Sequence, residues 1–315
     1  LFVALRGERF DGHGFAAAAA ERGAVAVRVE RELALPVPQL VAGDSLAALQ
    51  AAAAAWRAAF DIPVVAVAGS NGKTSTKEMV AAILAEAGPV LATRGSLNNH
   101  IGVPLTLLGL GAEHRAAVIE IGANHPGEVA ALAALARPTV GLVTNAGAEH
   151  LEGFLSLDGV ARAEGELFEA LPADGVAVVN VDDAYAELWR RLCGARRVVS
   201  FGRGPADFRA GAATLDVEDG AWATRFELAT PQGVAPVRLA LPGMHSVVNA
   251  AGAAAAAVAC GATLAQVAAG LARVRPVAGR MQPRRAAAGA WLIDDSYNPN
   301  PSSAIAALDV LPAPP

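Results

Sequence analysis

The stretch Ile62-Pro-Val-Val-Ala-Val-Ala-Gly-Ser-Asn-Gly-Lys-Thr-Ser-Thr76 decides the reading of the whole chain. Val64 to Ala68 is an unbroken apolar run, the pattern of a parallel strand covered on both faces. Gly69-Ser70-Asn71-Gly72-Lys73-Thr74-Ser75 then turns the chain into a helix expected over 76–87, with Gly88-Pro89 as its stop. Such a turn aims several backbone N–H groups and a helix N-terminus at one point, which suits a phosphate. Lys73 adds a point charge for the β- and γ-phosphates, and the Thr74 hydroxyl can ligate Mg2+. The full phosphate-loop pattern asks for a glycine five positions before Gly72, where this chain has Val67, so the loop is a shorter Gly-x-x-Gly-Lys-Thr form. The competing reading is a glycine turn with an ordinary surface lysine. Composition weighs against it: the chain has two lysines, Lys73 and Lys77, against twenty-three arginines. Lysine stands where a compact ammonium on a flexible stem is the better phosphate ligand.

A length of 315 residues is enough for two domains and part of a third. Hydrophobic residues make up 54%, much of it alanine, and no run approaches the roughly 20 large apolar residues of a membrane span. No membrane insertion is therefore expected. The alanine-rich runs 16–20, 51–55 and 253–257 read as helix surface and core filler. Leu1 to Leu5 is a short apolar start without a basic leader, so a cytoplasmic location is expected. Cys193 and Cys260 have no metal-type spacing and read as buried small hydrophobes. A net charge of −5 argues against nucleic acid as a partner. Arg190-Arg191 and Arg196-Arg197 are the dense basic spots, and a solvated helix end accounts for them. A monomer is the default expectation.

The fold class expected is α/β, in three parts. Residues 1–61 form a small N-terminal α/β unit, with strands at 2–5 and 24–29, a helix at 15–22 and an alanine-rich helix at 45–60 capped by Asp44. Its loop 6–14 is polar and glycine-rich, either a flexible surface loop or something with a task. Asp61-Ile62-Pro63 is the expected hinge into a central unit, 62–278, where strands at 64–68, 90–93, 116–121, 139–144, 176–181 and 197–201 alternate with helices. That alternation predicts a doubly wound, mostly parallel sheet with ligands at the carboxyl ends of its strands. Residues 222–228 and 234–241 read as an antiparallel hairpin around Pro231-Gln232-Gly233. Helices follow at 245–260 and 263–271, the second with a Thr263/Gln266 capping box. From 279 onward one strand, 291–295, and one helix, 302–311, read as the beginning of a further unit, since alone they cannot bury a core.

Two strand-end groups are candidates for chemistry. Glu120 closes the apolar run 116–121, where an acid costs several kcal/mol unless it is paired or on a metal. His150, in Asn145-Ala-Gly-Ala-Glu149-His150, is either a satisfied structural histidine or a metal ligand.

Six segments in order now resemble one family. Gly69 to Ser75, Gly95-Ser-Leu-Asn98-Asn99-His-Ile-Gly-Val-Pro104, Glu120-Ile-Gly-Ala-Asn-His125, His150-Leu-Glu-Gly-Phe154, His245-Ser-Val-Val-Asn249 and Asp294-Asp-Ser-Tyr-Asn-Pro299 are similar to those of the Mur ligases. The Leu-Asn-Asn and Gly-Ala-Asn-His segments resemble the members that add D-alanyl-D-alanine to UDP-N-acetylmuramoyl-tripeptide. The resemblance implies an ATP- and Mg2+-dependent peptide ligase working through an acyl phosphate in peptidoglycan precursor synthesis. It implies that Gly69, Ser70, Asn71, Gly72, Lys73, Thr74 and Ser75 hold ATP phosphates. Thr74, Glu120 and His150 would serve the metal, and Asn249 would face adenine. Arg280 and Asp295 would meet phosphate and ribose. Arg6, Asp11, Gly12 and His13 would meet the UDP end of the substrate, and Asn98 and Asn99 the muramoyl-tripeptide. The family's carbamylated lysine falls on Glu164, read either as a permanent metal-side anion with a catalytic part or as an exposed helix glutamate. The family's Rossmann-like C-terminal domain would be only begun by 279–315, and the N-terminal unit would lack its start. Two alternatives stay open: a binding-only Mur-like chain without turnover, and a folylpolyglutamate-synthase-like ligase.

Overall fold

The structure is a computed structural model and describes residues 1–149, 151–218, 221–286 and 290–310. Three sheets occur among them. The first is parallel and three-stranded, β1 (Phe2–Val3), β2 (Val27–Val29) and β3 (Gln39–Val41), with α1 (Ala16–Glu21) between β1 and β2. The helix α2 (Ser45–Ala58) follows, and its N-cap Asp44 accepts from the Ala47 N–H. The strand β3 was not expected. Its three residues are half-buried to exposed and too few to show a period.

The second sheet has nine strands. Its elements run β4 (Val64–Ala68), α3 (Lys73–Leu84), β5 (Val90–Ala92), α4 (Gly102–Leu107), β6 (Ala116–Glu120), α5 (Glu128–Ala136), β7 (Val140–Val143), α6 (Leu151–Phe154), α7 (Leu157–Glu169), β8 (Val176–Asn180), α8 (Ala186–Cys193), β9 (Arg197–Gly202), β10 (Phe208–Glu218), β11 (Ala221–Thr230) and β12 (Gly233–Leu239). Two helices close it, α9 (Met244–Ala259) and α10 (Leu264–Arg273). The order is β12-β11-β10-β9-β8-β7-β4-β6-β5, parallel from β10 to β5 and antiparallel at the β10–β11–β12 edge. The third sheet pairs β13 (Gln282–Arg285) with β14 (Trp291–Asp294) antiparallel, and α11 (Pro301–Leu308) follows.

The expected strands, hairpin and capping box are all present, and three departures have local causes. The phosphate-loop helix begins at Lys73, not at 76, because Gly72 adopts a left-handed φ of 81° and starts it directly. The longest strand, β10, was missed because its register against β11 shifts between Ala210 and Ala213, which breaks the alternation a reader looks for. β13 was missed because Gln-Pro-Arg-Arg carries no apolar period.

β4 shows why the sheet is covered on both faces. Val65 and Val67 pack with α3, α9 and α10, while Val64, Ala66 and Ala68 pack with α2, α4, α5 and α7. Ala253 to Ala257 are fully buried, so that alanine run is core filler throughout, whereas Ala17 and Ala18 of the 16–20 run are exposed. α2 is joined to the central unit by its side chains: Trp56 Nε1 donates to Leu110 O at 3.0 Å and the buried Arg57 Nε to Ala136 O at 3.0 Å. Both cysteines are free, Cys193 buried and Cys260 half-buried. Among the described residues no helix is long and apolar enough to cross a membrane.

α10 lies against α3 through Gly270, where an added Cβ would stand 2.4 Å from the Ile83 Cα and 2.7 Å from the Ala82 oxygen. Gly270→Ala should therefore destabilise by roughly 1–3 kcal/mol, although alanine is the better helix former by ~1 kcal/mol. A melting temperature unchanged or raised in that variant would show that the helices can separate at no cost.

Candidate active site

The loops leaving β4, β6 and β7 meet at the carboxyl ends of adjacent strands, where the chain reverses direction across the sheet. The phosphate-type loop 69–72 is held from outside. Ser70 N–H donates to Asn145 O at 2.9 Å and Asn71 N–H to Asn145 Oδ1 at 3.0 Å. The Asn71 carbonyl accepts from Thr144 Oγ1 at 2.7 Å and Asn145 Nδ2 at 3.0 Å. Beneath the loop, Gly72 leaves room for Asn249, whose Nδ2 would lie 2.5 Å from a Cβ at that position. Lys73 Nζ donates to Gly69 O, to Ser70 O at 3.0 Å and to Glu149 Oε1 at 3.2 Å.

Glu164 is buried, 3% exposed, which excludes the exposed-helix reading. From α7 its Oε2 accepts the Gly69 N–H at 2.6 Å. Burial pushes its carboxyl up to about 7, against the opposing pull of Lys73 and the Gly69 hydrogen bond.

Glu120 is buried at the end of β6, its N–H on Thr93 Oγ1 at 3.0 Å and its Oε1 accepting from Asn98 Nδ2 at 2.8 Å. Its Oε2 has no hydrogen-bond partner, and neither has the buried Thr74 Oγ1. Thr74 and Glu120 line one cavity of about 410 Å3 with Lys73, Asn98, Asn99 and Glu149. Two unpaired hard oxygens fit a Mg2+ ion that takes one or two protein ligands and fills its shell with phosphate and water. No three His, Cys, Asp or Glu groups among the described residues are placed to hold a metal by themselves. His150 lies outside the described residues.

A second cavity of about 410 Å3 adjoins the first, and Asn71, Gly72, Arg280 and Asn298 line both. Ser75, Asn249 and Asp295 line this second one. Asp295 Oδ1 accepts the Met281 N–H at 3.0 Å, and the Arg280 guanidinium lies 4.3 Å from the centre of the Tyr297 ring.

The four N-terminal candidates line neither cavity. The loop 6–14 has defined structure, a 3-10 turn over Gly12–Phe15. The His13 ring is buried and both nitrogens are engaged: Nε2 accepts from the Glu30 N–H at 2.8 Å, so the proton sits on Nδ1, 2.6 Å from Asp11 Oδ1. The His13 ring therefore holds the loop, tying Asp11 to the Glu30 main chain. Hydrogen bonds from His13, backbone first, lower the Asp11 carboxyl to about 2, and Arg6 and Arg31 lie against its Oδ2. Gly12 pairs with the Leu5 carbonyl at 2.8 Å, and Arg6 remains exposed. Asn99 Oδ1 accepts from the Ile101 and Gly102 N–H groups at 3.1 and 2.9 Å and so starts α4. Sequence reasoning missed Glu149 and Asn145 as partners of the loop. Their position directly after β7 was the available signal.

The Glu164 carboxyl favours folding while neutral, because its folded-state value of about 7 lies above the ordinary 4.5. That contribution is complete below pH 4.5 and lost as pH rises through 7, up to about 3 kcal/mol in all. Glu164→Gln keeps an acceptor for Gly69 and stays neutral, so its melting temperature should gain on the unmodified chain between pH 5 and 8. Parallel melting curves across that range would contradict the assignment.

Residues 67–257 match the model of the Mur ligase middle domain. The UDP-N-acetylmuramoyl-tripeptide–D-alanyl-D-alanine ligase of Escherichia coli K12 is 47% identical over 311 residues, 99% of this chain and 68% of that protein. The crystal structure of MurF from Acinetobacter baumannii superposes with a TM-score of 0.91 at 39% identity, over 98% of this chain and 67% of that one. MurF from Thermotoga maritima, solved with ADP, gives 0.84 at 27% identity over 98% and 71%. A folylpolyglutamate synthase of Mycobacterium tuberculosis, at 18% identity and a TM-score of 0.68, shares the fold alone. Together with the phosphate-type loop and the cavity it lines, these matches establish that the chain belongs to the Mur ligase family.

Proposed function

We propose that the chain is an ATP-dependent ligase joining the amine of D-alanyl-D-alanine to the terminal carboxylate of UDP-N-acetylmuramoyl-tripeptide. The observation that carries this reading is the pair of unpartnered oxygens, Thr74 Oγ1 and Glu120 Oε2, lining one cavity with Lys73, Asn98 and Asn99. In this reading base and ribose occupy the adjoining cavity beside Asn249, Arg280 and Asp295. The phosphates cross Asn71 and Gly72, which line both spaces.

A carboxylate is a poor electrophile, so it first takes the γ-phosphate, giving ADP and an acyl phosphate. The amine then attacks the acyl carbon, releasing phosphate and forming the amide. Bringing a carboxylate to a polyphosphate places like charges together, and the work of the site is to cancel that repulsion. Lys73 supplies one positive charge, oriented by Glu149. Mg2+ held by Thr74 and Glu120 would supply the rest of the charge. Of the loop amides from Gly69 to Lys73, the first three are held by Glu164 and Asn145, and those of Gly72 and Lys73, at the start of α3, are the ones to meet the phosphates. Glu164, where the resemblance places a carbamylated lysine, fixes the Gly69 amide and stands as a permanent carboxyl behind the loop. Asn98, already on Glu120, and Asn99 lie along the tripeptide side. Residues 1–61 serve the UDP end, with Arg6 as its exposed cation, residues 62–278 serve ATP, and Arg280, Asp295 and Ser302 of the third unit close the nucleotide cavity from the far side.

Mass spectrometry of the chain mixed with Mg·ATP, UDP-N-acetylmuramoyl-tripeptide and D-alanyl-D-alanine should show the pentapeptide product with matching ADP. No product, together with no calorimetric binding of either UDP substrate or Mg·ATP, would overturn the proposal. Lys73→Met should weaken Mg·ADP binding roughly 10–100-fold, the loss of one charge-assisted hydrogen bond, and equal affinity would remove Lys73 from the phosphate site.

A further inference from the structure

Both lysines of the chain sit on α3, one turn apart, and only Lys73 lines the cavity. The Lys77 side chain is fully buried. Its Nζ donates to Thr93 O at 2.6 Å and to Gly95 O at 3.5 Å, and it pairs with Glu78 Oε1 at 2.7 Å. A buried ammonium costs several kcal/mol in desolvation, and an apolar chain of the same length would fill the space without that cost. Packing alone therefore does not account for a charge there.

What the ammonium reaches is informative. Thr93 gives its carbonyl to Lys77, its N–H to Val118 O at 3.0 Å, and its Oγ1 to the Glu120 N–H at 3.0 Å. The same loop then brings Asn98 back onto Glu120 Oε1 at 2.8 Å and Ser96 onto the Tyr297 hydroxyl. A single chain of bonds thus runs from the phosphate-loop helix through Thr93 to the main chain of Glu120, whose carboxylate the same loop holds through Asn98. Thr74 lies on that helix, three residues before Lys77.

We propose that Lys77 is a positioning residue: through Thr93 it fixes the separation between Thr74 Oγ1 and Glu120 Oε2, and so sets the seat of the divalent cation that accompanies the nucleotide. The inference rests on the reading of this cavity as a metal–nucleotide site. Groups that hydrogen-bond to metal ligands orient them in the same way, and their loss costs about 10–100-fold in metal affinity.

The test is calorimetry of ADP binding to the full chain with Mn2+ and with EDTA, and the ratio of the two affinities is the readout. Lys77→Met keeps length and burial, and Thr93→Val removes the Oγ1 while leaving the carbonyl. Each should lower the Mn2+-dependent gain roughly tenfold or more, and the double variant should lose little beyond the worse single one, because both cut one chain. Lys77→Arg, which keeps the charge, should recover part of the gain. Should Lys77→Met prove unfolded by circular dichroism, Thr93→Val alone decides. A full Mn2+-dependent gain in Thr93→Val or Lys77→Met overturns the inference while leaving the site reading intact. No Mn2+-dependent gain in the unmodified chain overturns the site reading, and the inference with it.

Discussion

The structure depends on one strand that has no contact with water. Every residue from Val64 to Ala68 is fully buried, odd positions against one layer of helices and even positions against the other. Such a strand can end only where its chain turns out of the sheet, and Gly69 to Gly72 make that turn. Since β6 and β7 flank β4 in parallel, with Glu120 beside Val67 and Val143 beside Ala68, Glu120 and Thr144 emerge at the same edge within two residues of each other. The burial that stabilises the sheet therefore also brings an acid, a hydroxyl and a helix N-terminus together.

The charges at that edge are unbalanced in an instructive way. Glu120 and Glu149 line one cavity with a single lysine, Lys73, and Glu164 lies behind the loop on the Gly69 N–H, so Lys73 alone does not offset the charge of a polyphosphate. Glu149 is neutralised by Lys73 and Glu164 is pushed toward its neutral form by burial, which leaves Glu120 as the carboxylate with an unpaired oxygen. An arrangement of that kind favours a nucleotide that arrives with its own divalent cation over one that does not.

Much of this could be read from residues alone. The apolar run before a glycine turn gave the central strand, and the scarcity of lysine marked Lys73 as special. An acid at the end of an apolar strand marked Glu120. What could not be read were relations set by tertiary approach. That Glu164 lies under Gly69 depends on α7 packing across β4 and β7, which no local period reveals. His13 looked like a ligand group in a polar loop, yet a neighbouring carboxylate and a distant amide take both of its nitrogens. The strand β10 was hidden by its bulge, and β3 and β13 by lengths of 3 and 4 residues.

The segment after Arg280 shows why the site is not complete within one sheet. Asn300 caps α11 through Ser303 and also donates from Nδ2 to Asn71 Oδ1 at 2.8 Å, while Asn71 Nδ2 donates to Ser302 Oγ at 3.1 Å. Tyr297 reaches Ser96 on the loop that carries Asn98. The last segment thus touches the phosphate-type loop at one point and the Asn98 loop at another, with Arg280 against Tyr297 between the two cavities. These bonds are few, polar and partly exposed, so each contributes about 1 kcal/mol or less, while the β4 core is held by burial on both faces. The same segment also sets Trp291 edge-on to Trp222 of β11 at 5.4 Å, so the junction along which both cavities lie is held by an aromatic contact as well as by these polar bonds.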